Sequence, residues 1–214
     1  MLLLPRLLAP LLLTLLLAAL PAQAQESFYG HLSYPQADSD DLTAVCTGNS
    51  KLLHRDVAQP LRVMIETARS TGIDLRALSC FRTIRNQRWL FCRHVCDADG
   101  LVCGGGCEGR KQSEQLRARV SAPPGYSEHA TGYAVDFADG RNRGCDFETC
   151  FAETPAGAWL LENATAFGFE LSFPEGNEQG IAYEPWHWRF VGTPEAMSLF
   201  IRARQLYPAD PAVR

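Results

Sequence analysis

The chain has 214 residues, with 20 Lys+Arg against 24 Asp+Glu, a formal charge of −4, and 46% hydrophobic and 21% charged residues. That length suits one decorated domain better than two full ones, and the composition is ordinary for a globular protein and excludes global disorder. The acidic balance gives no support for a nucleic-acid partner, which favours a basic surface.

Residues 1–24 have the build of a secretory signal peptide: Arg6, then a Leu/Ala run, then Pro21-Ala22-Gln23-Ala24 as an A-x-A type ending. The alternative is a membrane anchor, but a span needs roughly 20 apolar residues, and Pro5, Pro10 and Pro21 crowd this one. Cleavage after Ala24 would leave a soluble chain, periplasmic or secreted, with no stable membrane insertion. Residues 25–55 are polar and irregular, an N-terminal extension ahead of a domain over 56–214.

From Pro60 to Arg69, the residues Leu61, Met64, Ile65 and Ala68 fall at helical spacing, and Gly72 is the stop. Ile73 to Phe81 alternates as a strand, Thr83 to Phe91 reads as helical, and 92–107 is a Cys/Gly-rich insertion. A short helix over Ser113 to Val120 precedes the loop Ala122-Pro123-Pro124-Gly125 and a strand over Tyr133 to Phe137. Thr154-Pro155 starts a helix striped by Trp159, Leu160, Ala164 and Phe167 and stopped by Gly168. Phe169, Leu171 and Phe173 form a strand, Ile181 to Val191 a last strand, and Thr193-Pro194 a final helix through Leu206. Strands and helices that mix without regular βαβ units argue α+β, with a central antiparallel sheet flanked by helices.

Eight cysteines in an exported chain are expected to pair. The run Cys92, Cys96, Cys103, Cys107 offers a structural zinc as the alternative, but its spacings are wider than usual zinc pairs. Nested bridges Cys92–Cys107 and Cys96–Cys103 are expected across the Gly-rich turn, with Cys145–Cys150 closing a small loop and Cys46–Cys80 left over; spacing alone leaves 105 connectivities open.

Two histidines stand in informative surroundings, in Ser127-Glu128-His129-Ala130-Thr131-Gly132-Tyr133-Ala134-Val135-Asp136 and in Glu184-Pro185-Trp186-His187. Faces of a strand alternate with period two, so an unbroken strand would separate His129 from Asp136, and Glu184 from His187. Gly132 and Pro185 are the expected interruptions. Two histidines and a carboxylate suit catalytic zinc with its fourth position left to water, whose pKa falls to about 7. A free carboxylate is then needed to move the proton, and Glu184 is the candidate. Against this stand ordinary roles: a histidine among tryptophans is commonly a packed core residue, and an Asp at a strand end a turn residue.

These stretches resemble the zinc D,D-carboxypeptidases of the vancomycin-resistance (VanY) family, relatives of the D-Ala-D-Ala dipeptidases and the hedgehog signalling domain. The family pattern is Ser-x-His-x-x-Gly-x-Ala-x-Asp followed by Glu-x-x-His, matched by Ser127, His129, Gly132, Ala134 and Asp136, then by Glu184 and His187. The resemblance implies one zinc per chain held by His129, Asp136 and His187, with Glu184 as catalytic base. Ser79-Cys80-Phe81-Arg82-Thr83 resembles the family's Ser-Gly-Tyr-Arg-Ser, which implies that Arg82 stabilises the polarised carbonyl. Gln87 and Ser127 match substrate-holding positions, and Trp186 is expected along the cleft. The implied substrate is the C-terminal D-Ala-D-Ala bond of peptidoglycan stem peptides, cut by a monomer. Departures are Cys80 for Gly, the insertion at 92–107, and Ser172-Phe173-Pro174 where the family often has Arg-Tyr-Pro.

The rivals are a non-catalytic, zinc-containing cell-wall binding module and a metallopeptidase of another bond, as an endopeptidase or dipeptidase. A serine D,D-peptidase needs Ser-x-x-Lys, and neither Lys51 nor Lys111 has a serine three positions before it.

Overall fold

The computed structural model describes residues 27–45, 51–96, 101–103 and 112–206. Two short hairpins lead: β1 (Ser27–Phe28) with β2 (His31–Leu32), and β3 (Leu42–Ala44) with β4 (Leu52–His54). The expected irregular extension is therefore partly regular. It is also part of the core, because Leu32, Tyr34 and Leu53 are buried in the main apolar cluster. The signal-peptide reading falls outside the described residues.

Helix α1 (Arg55–Ser70) starts five residues before the expected Pro60, since His54 Nδ1 accepts from Asp56 N–H and caps it there. Pro60 sits inside the helix, where its missing N–H removes one ladder bond. Burial of Val57, Ala58 and Leu61 around it supplies the offset. Helix α2 (Ile84–Cys92) is capped by Thr83, α3 (Glu114–Ala118) by Ser113, α4 (Pro155–Asn163) by Thr154 and α5 (Pro194–Gln205) by Thr193, each hydroxyl accepting a first-turn N–H. Pro155 and Pro194 open their helices, where a proline loses no bond.

The central sheet is antiparallel, in the order β5 (Leu75–Ser79), β6 (Ala134–Asp139), β8 (His187–Phe190), β7 (Phe169–Leu171). One of its faces packs Leu75, Ala77, Val135, Phe137 and Trp188 into the main cluster, with α1, α4 and α5 contributing Met64, Leu160 and Phe200. The other face carries polar residues in rows set by register. Ser79 lies opposite Asp136, and Asp136 opposite His187. Ala134, Arg189 and Glu170 form the next row. A register shift between Ala77 and Ser79 makes the first row possible: the extra residue turns Ser79 to the polar face, as a β-bulge does.

The last strand is shorter than the expected Ile181 to Val191. Pro185 has no N–H to give to a ladder. The segment before it bonds elsewhere, Ala182 N to Arg119 O and Glu184 N to Phe173 O. The nested cysteine pairing is also wrong. Cys92 bonds Cys103, so neither Cys92–Cys107 nor Cys96–Cys103 forms. Cys92 and Cys103 both pack on the satellite cluster of Phe91, Val95 and Ala118. Glu114 accepts from the N–H groups of Leu101, Val102 and Cys103 and so holds Cys103 against α2. Cys96 is disulfide-bonded as well, and Cys145 bonds Cys150 as expected. Cys46 and Cys107 lie outside the described residues, and with Cys46 the Cys46–Cys80 pairing.

Candidate active site

His129 lies on a 3₁₀ turn, Glu128–Thr131, that ends at Gly132 in the left-handed region with φ +76°. A side chain there would be strained, and its Cβ would meet Leu42 Cδ2 at 2.9 Å and His54 N at 3.0 Å. The turn reverses the chain into β6, so that His129 comes back beside Asp136. His129 Nδ1 meets the Cys80 carbonyl at 2.7 Å, which assigns the proton to Nδ1 and leaves Nε2 facing Asp136 Oδ2 at 3.1 Å. His187, opposite Asp136 on β8, brings Nδ1 to 2.8 Å from Asp136 Oδ1. One ligand atom from each of His129, Asp136 and His187 falls within a 4.8 Å set, and all three side chains are buried.

The charges fit a cation. Burial opposes the charged form of His187, yet bonds to Asp136 and Glu128 hold its pKa up to about 10 without a metal. It then carries a proton on each ring nitrogen, because each nitrogen faces a carboxylate. A divalent ion at Nδ1 would take the place of one of those protons. Burial lowers the pKa of His129, against the pull of Asp136, and so keeps the ring neutral as a ligand must be. Asp136 resists burial and is held well below the usual carboxylate range by His129 and His187. This donor set suits zinc.

Glu184 lies on the cleft wall three residues before His187, with His187 N–H donating to its carbonyl at 3.0 Å. Desolvation, and after it Asp136 and Glu128, push its pKa up to about 8, against His187 and Arg82. Arg82 follows the bulge. It donates through Nη2 to Ser79 Oγ at 2.8 Å and through Nη1 to Gln87 Oε1 at 2.7 Å, and Nη2 lies 3.8 Å from Asp136 Oδ2. Gln87 is buried and donates its amide to Ala122 O at 2.6 Å, so both ends of that side chain are engaged within the protein. Its place in the cleft is beneath Arg82. Ser127 and Trp186 line the cleft, Trp186 edge-on to Phe147 at 6.3 Å between centroids. The cleft encloses about 780 Å³.

Glu128 is the buried carboxylate of the site that sequence reasoning missed. Its Oε2 accepts from Ser172 Oγ at 2.5 Å and lies 3.0 Å from His187 Nε2, and its Oε1 takes Arg189 Nη1 at 2.7 Å. Arg189 in turn bonds Glu170, which Arg204 reaches at 2.9 Å. The signal was Arg189 itself: two residues after His187 on one strand face, it needed a buried carboxylate.

An antiparallel sheet that floors a cleft with two imidazoles and a carboxylate, and walls it with a further glutamate, is built for metal-assisted hydrolysis. The profile of the D-alanyl-D-alanine carboxypeptidase (VanY) family matches residues 50–193, and the chain belongs to that family. A D-alanyl-D-alanine carboxypeptidase of Enterococcus faecium is 36% identical over 85 residues, 39% of this chain and 26% of that protein. The chain thus spans about a quarter of that curated relative's length. The LdcB LD-carboxypeptidase, whose structure reveals the molecular basis of peptidoglycan recognition, superposes with a TM-score of 0.60 at 25% identity over 80% of each chain. A vancomycin-resistance D,D-pentapeptidase VanY in complex with Zn(II) gives a TM-score of 0.56 at 24% identity, over 78% of this chain and 88% of that one, a likeness of fold.

Proposed function

We propose that the protein is a zinc D,D-carboxypeptidase that releases the C-terminal D-Ala of peptidoglycan stem peptides. The convergence of His129, Asp136 and His187 in one buried cluster, with Glu184 outside it, carries this reading. His129 through Nε2, Asp136 through its carboxylate and His187 through Nδ1 would hold one zinc per chain. When bound, the zinc polarises the scissile carbonyl and acidifies the attacking water.

The chain's own groups do the rest. Arg82, fixed by Ser79 and Gln87, points a guanidinium at the carbonyl oxygen as that oxygen gains charge. Glu184, whose raised pKa the charge of a bound zinc would bring down, accepts the proton of the attacking water as a carboxylate and hands it to the departing amine nitrogen. Trp186 and Phe147 wall the cleft against bulk water, and Ser127 offers a hydroxyl to the peptide. A purely structural zinc needs no neighbouring base, so Glu184 argues against the binding-module reading. The proposal includes export by residues 1–24 and action outside the cytoplasm, in the periplasm or secreted, by a monomer whose domain over 56–214 is completed by Leu32, Tyr34 and Leu53 of the N-terminal extension. Among the described residues no helix is long and apolar enough to cross a membrane.

Mass spectrometry of purified muropeptides tests it. Pentapeptides should lose one D-Ala, a chelator should stop the reaction, and zinc should restore it. Release of a dipeptide, cutting of a cross-link, or loss of D-Ala from tetrapeptides alone would each replace the D,D-carboxypeptidase reading. Absence of any product with zinc present would return the chain to the binding module.

A further inference from the structure

Three arginines line the cleft: Arg82, Arg93 and Arg117. Arg82 is committed to Ser79, Gln87 and Asp136. The other two flank the cysteine-rich lobe, Arg93 just after α2 within the insertion at 92–107 and Arg117 beyond it on α3. Among the described residues neither meets a carboxylate. Arg93 donates to His94 Nε2 at 2.9 Å and lies 4.7 Å over the Trp89 ring. Arg117 has a buried Nε with no hydrogen-bond partner among the described residues. Its charge is disfavoured by burial and then by Arg93, and is favoured by Glu184. It is a cation with no carboxylate in ion-pair contact among the described residues, and Glu184, the residue we assign as base, is the anion its charge senses.

The placement is rigid. Ala182 N–H donates to Arg119 O at 2.9 Å, which ties the end of α3 to the segment carrying Glu184. His31 Nε2 meets Ala118 O at 2.7 Å from the other side. Glu114, at the start of α3, gathers the N–H groups of residues 101–103, and the Cys92–Cys103 bridge fastens that strip to α2. A carboxypeptidase must sense a free carboxylate near the bond it cuts. Among the described residues that line the cleft, Arg93 and Arg117 are the arginines without a carboxylate in ion-pair contact.

We infer that Arg117, with Arg93 behind it, holds a carboxylate of the peptide substrate beside the reacting bond, and that the disulfide-stapled lobe exists to position it. This rests on the proposed function and names the specificity element of that site. The carboxylate is either the C-terminal one or one upstream of the scissile bond. A guanidinium binds both in the same bidentate way.

The experiment uses the zinc-loaded protein, its Arg117→Met and Arg117→Lys variants, and three synthetic peptides ending in D-Ala-D-Ala: the free acid, the C-terminal amide, and the peptide amidated upstream. Kinetics and calorimetric binding are both read. For wild type, one of the two amidations should raise KM and Kd by about tenfold to a hundredfold, the range for a lost hydrogen bond to a charged group. That amidation identifies which carboxylate is held. Arg117→Met should show the same loss on the free acid, with kcat nearly kept, and should no longer distinguish the amidated peptide. Arg117→Lys should recover part of the loss. If Arg117→Met discriminates as wild type does, or loses kcat equally on all three peptides, the inference is overturned. Absence of turnover by wild type would instead refute the peptidase reading, and the calorimetric comparison would still decide the role of Arg117.

Discussion

His187 is pinned from both sides, by Asp136 at Nδ1 and by Glu128 at Nε2, and the two carboxylates have opposite duties. In the proposed centre Asp136 would share the cation with the ring. Glu128 would take the proton that remains, set the ring's orientation and increase its basicity, as an outer carboxylate does for a ligating histidine. Burial opposes the charge on Glu128, but Arg189, His187 and Ser172 hold its pKa well below the usual range, so it stays an acceptor. Glu128→Gln should therefore weaken zinc binding by about 10- to 100-fold. Glu184→Gln should leave zinc stoichiometry unchanged and remove turnover. Metal titration with a competing chelator, paired with peptide hydrolysis, separates them; equal zinc affinity in wild type and Glu128→Gln would remove Glu128 from the centre. The cluster was legible because His129, Asp136 and His187 stand in a dense pattern of rare residue types. Glu128 was not, because it occupies an open position of that pattern, and its role arises only when the turn folds it under β8.

Between elements, breaks in regular structure do the positioning. Gly132 ends the turn that carries His129 ahead of β6, Pro185 lies just before β8 and His187, and the register shift puts Ser79 on the polar face. The first two were legible as interruptions, since Gly and Pro announce themselves. The register shift was not, because no residue type marks it. All five helices were placed from sequence, α1 by its periodicity though not its cap, and α4 and α5 by their Thr-Pro starts. The last strand was read too long because the apolar and aromatic residues around Glu184 imitate alternation, while their hydrogen bonds go to Arg119 and Phe173. The cysteine lobe could not be paired from spacing, since Glu114, not loop length, decides where Cys103 lies. Gly132→Ala tests the dependence on such a break. The left-handed φ costs an alanine about 1–3 kcal/mol, and contact with Leu42 and the His54 backbone adds to it. Urea unfolding of the zinc-loaded variant should show a lower midpoint with the slope kept, and zinc affinity should fall with it, because His129 and Asp136 stand on either side. An unchanged midpoint would show that the turn relaxes freely.

At the scale of the whole molecule, the cleft is a seam between the sheet and the α3 lobe, and the N-terminal hairpin closes its underside. His31 is the link: it is buried, it meets Ala118 O through Nε2, and it packs edge-on to Phe173 at 6.1 Å. Burial lowers its pKa from the ordinary 6.5 to about 4, against the bond to Ala118 and the charge of Glu128. The unfolded chain therefore binds this proton more readily than the folded one. Stability from His31 is complete above pH 6.5, declines as pH falls, and levels off below about 4. At 1.36 kcal/mol per pKa unit, the full loss is about 3 kcal/mol. Gln at this position keeps a donor toward Ala118 and does not titrate. Urea unfolding of wild type and His31→Gln, both zinc-loaded, at steps from pH 7 to 4 gives a difference in which the acid release of zinc cancels. Wild type should lose stability relative to His31→Gln across that window, by up to about 3 kcal/mol at its acid end. Parallel curves would mean that the hairpin does not hold the lobe through a neutral histidine, and that the seam is kept shut by packing on Leu32 and Tyr34 alone.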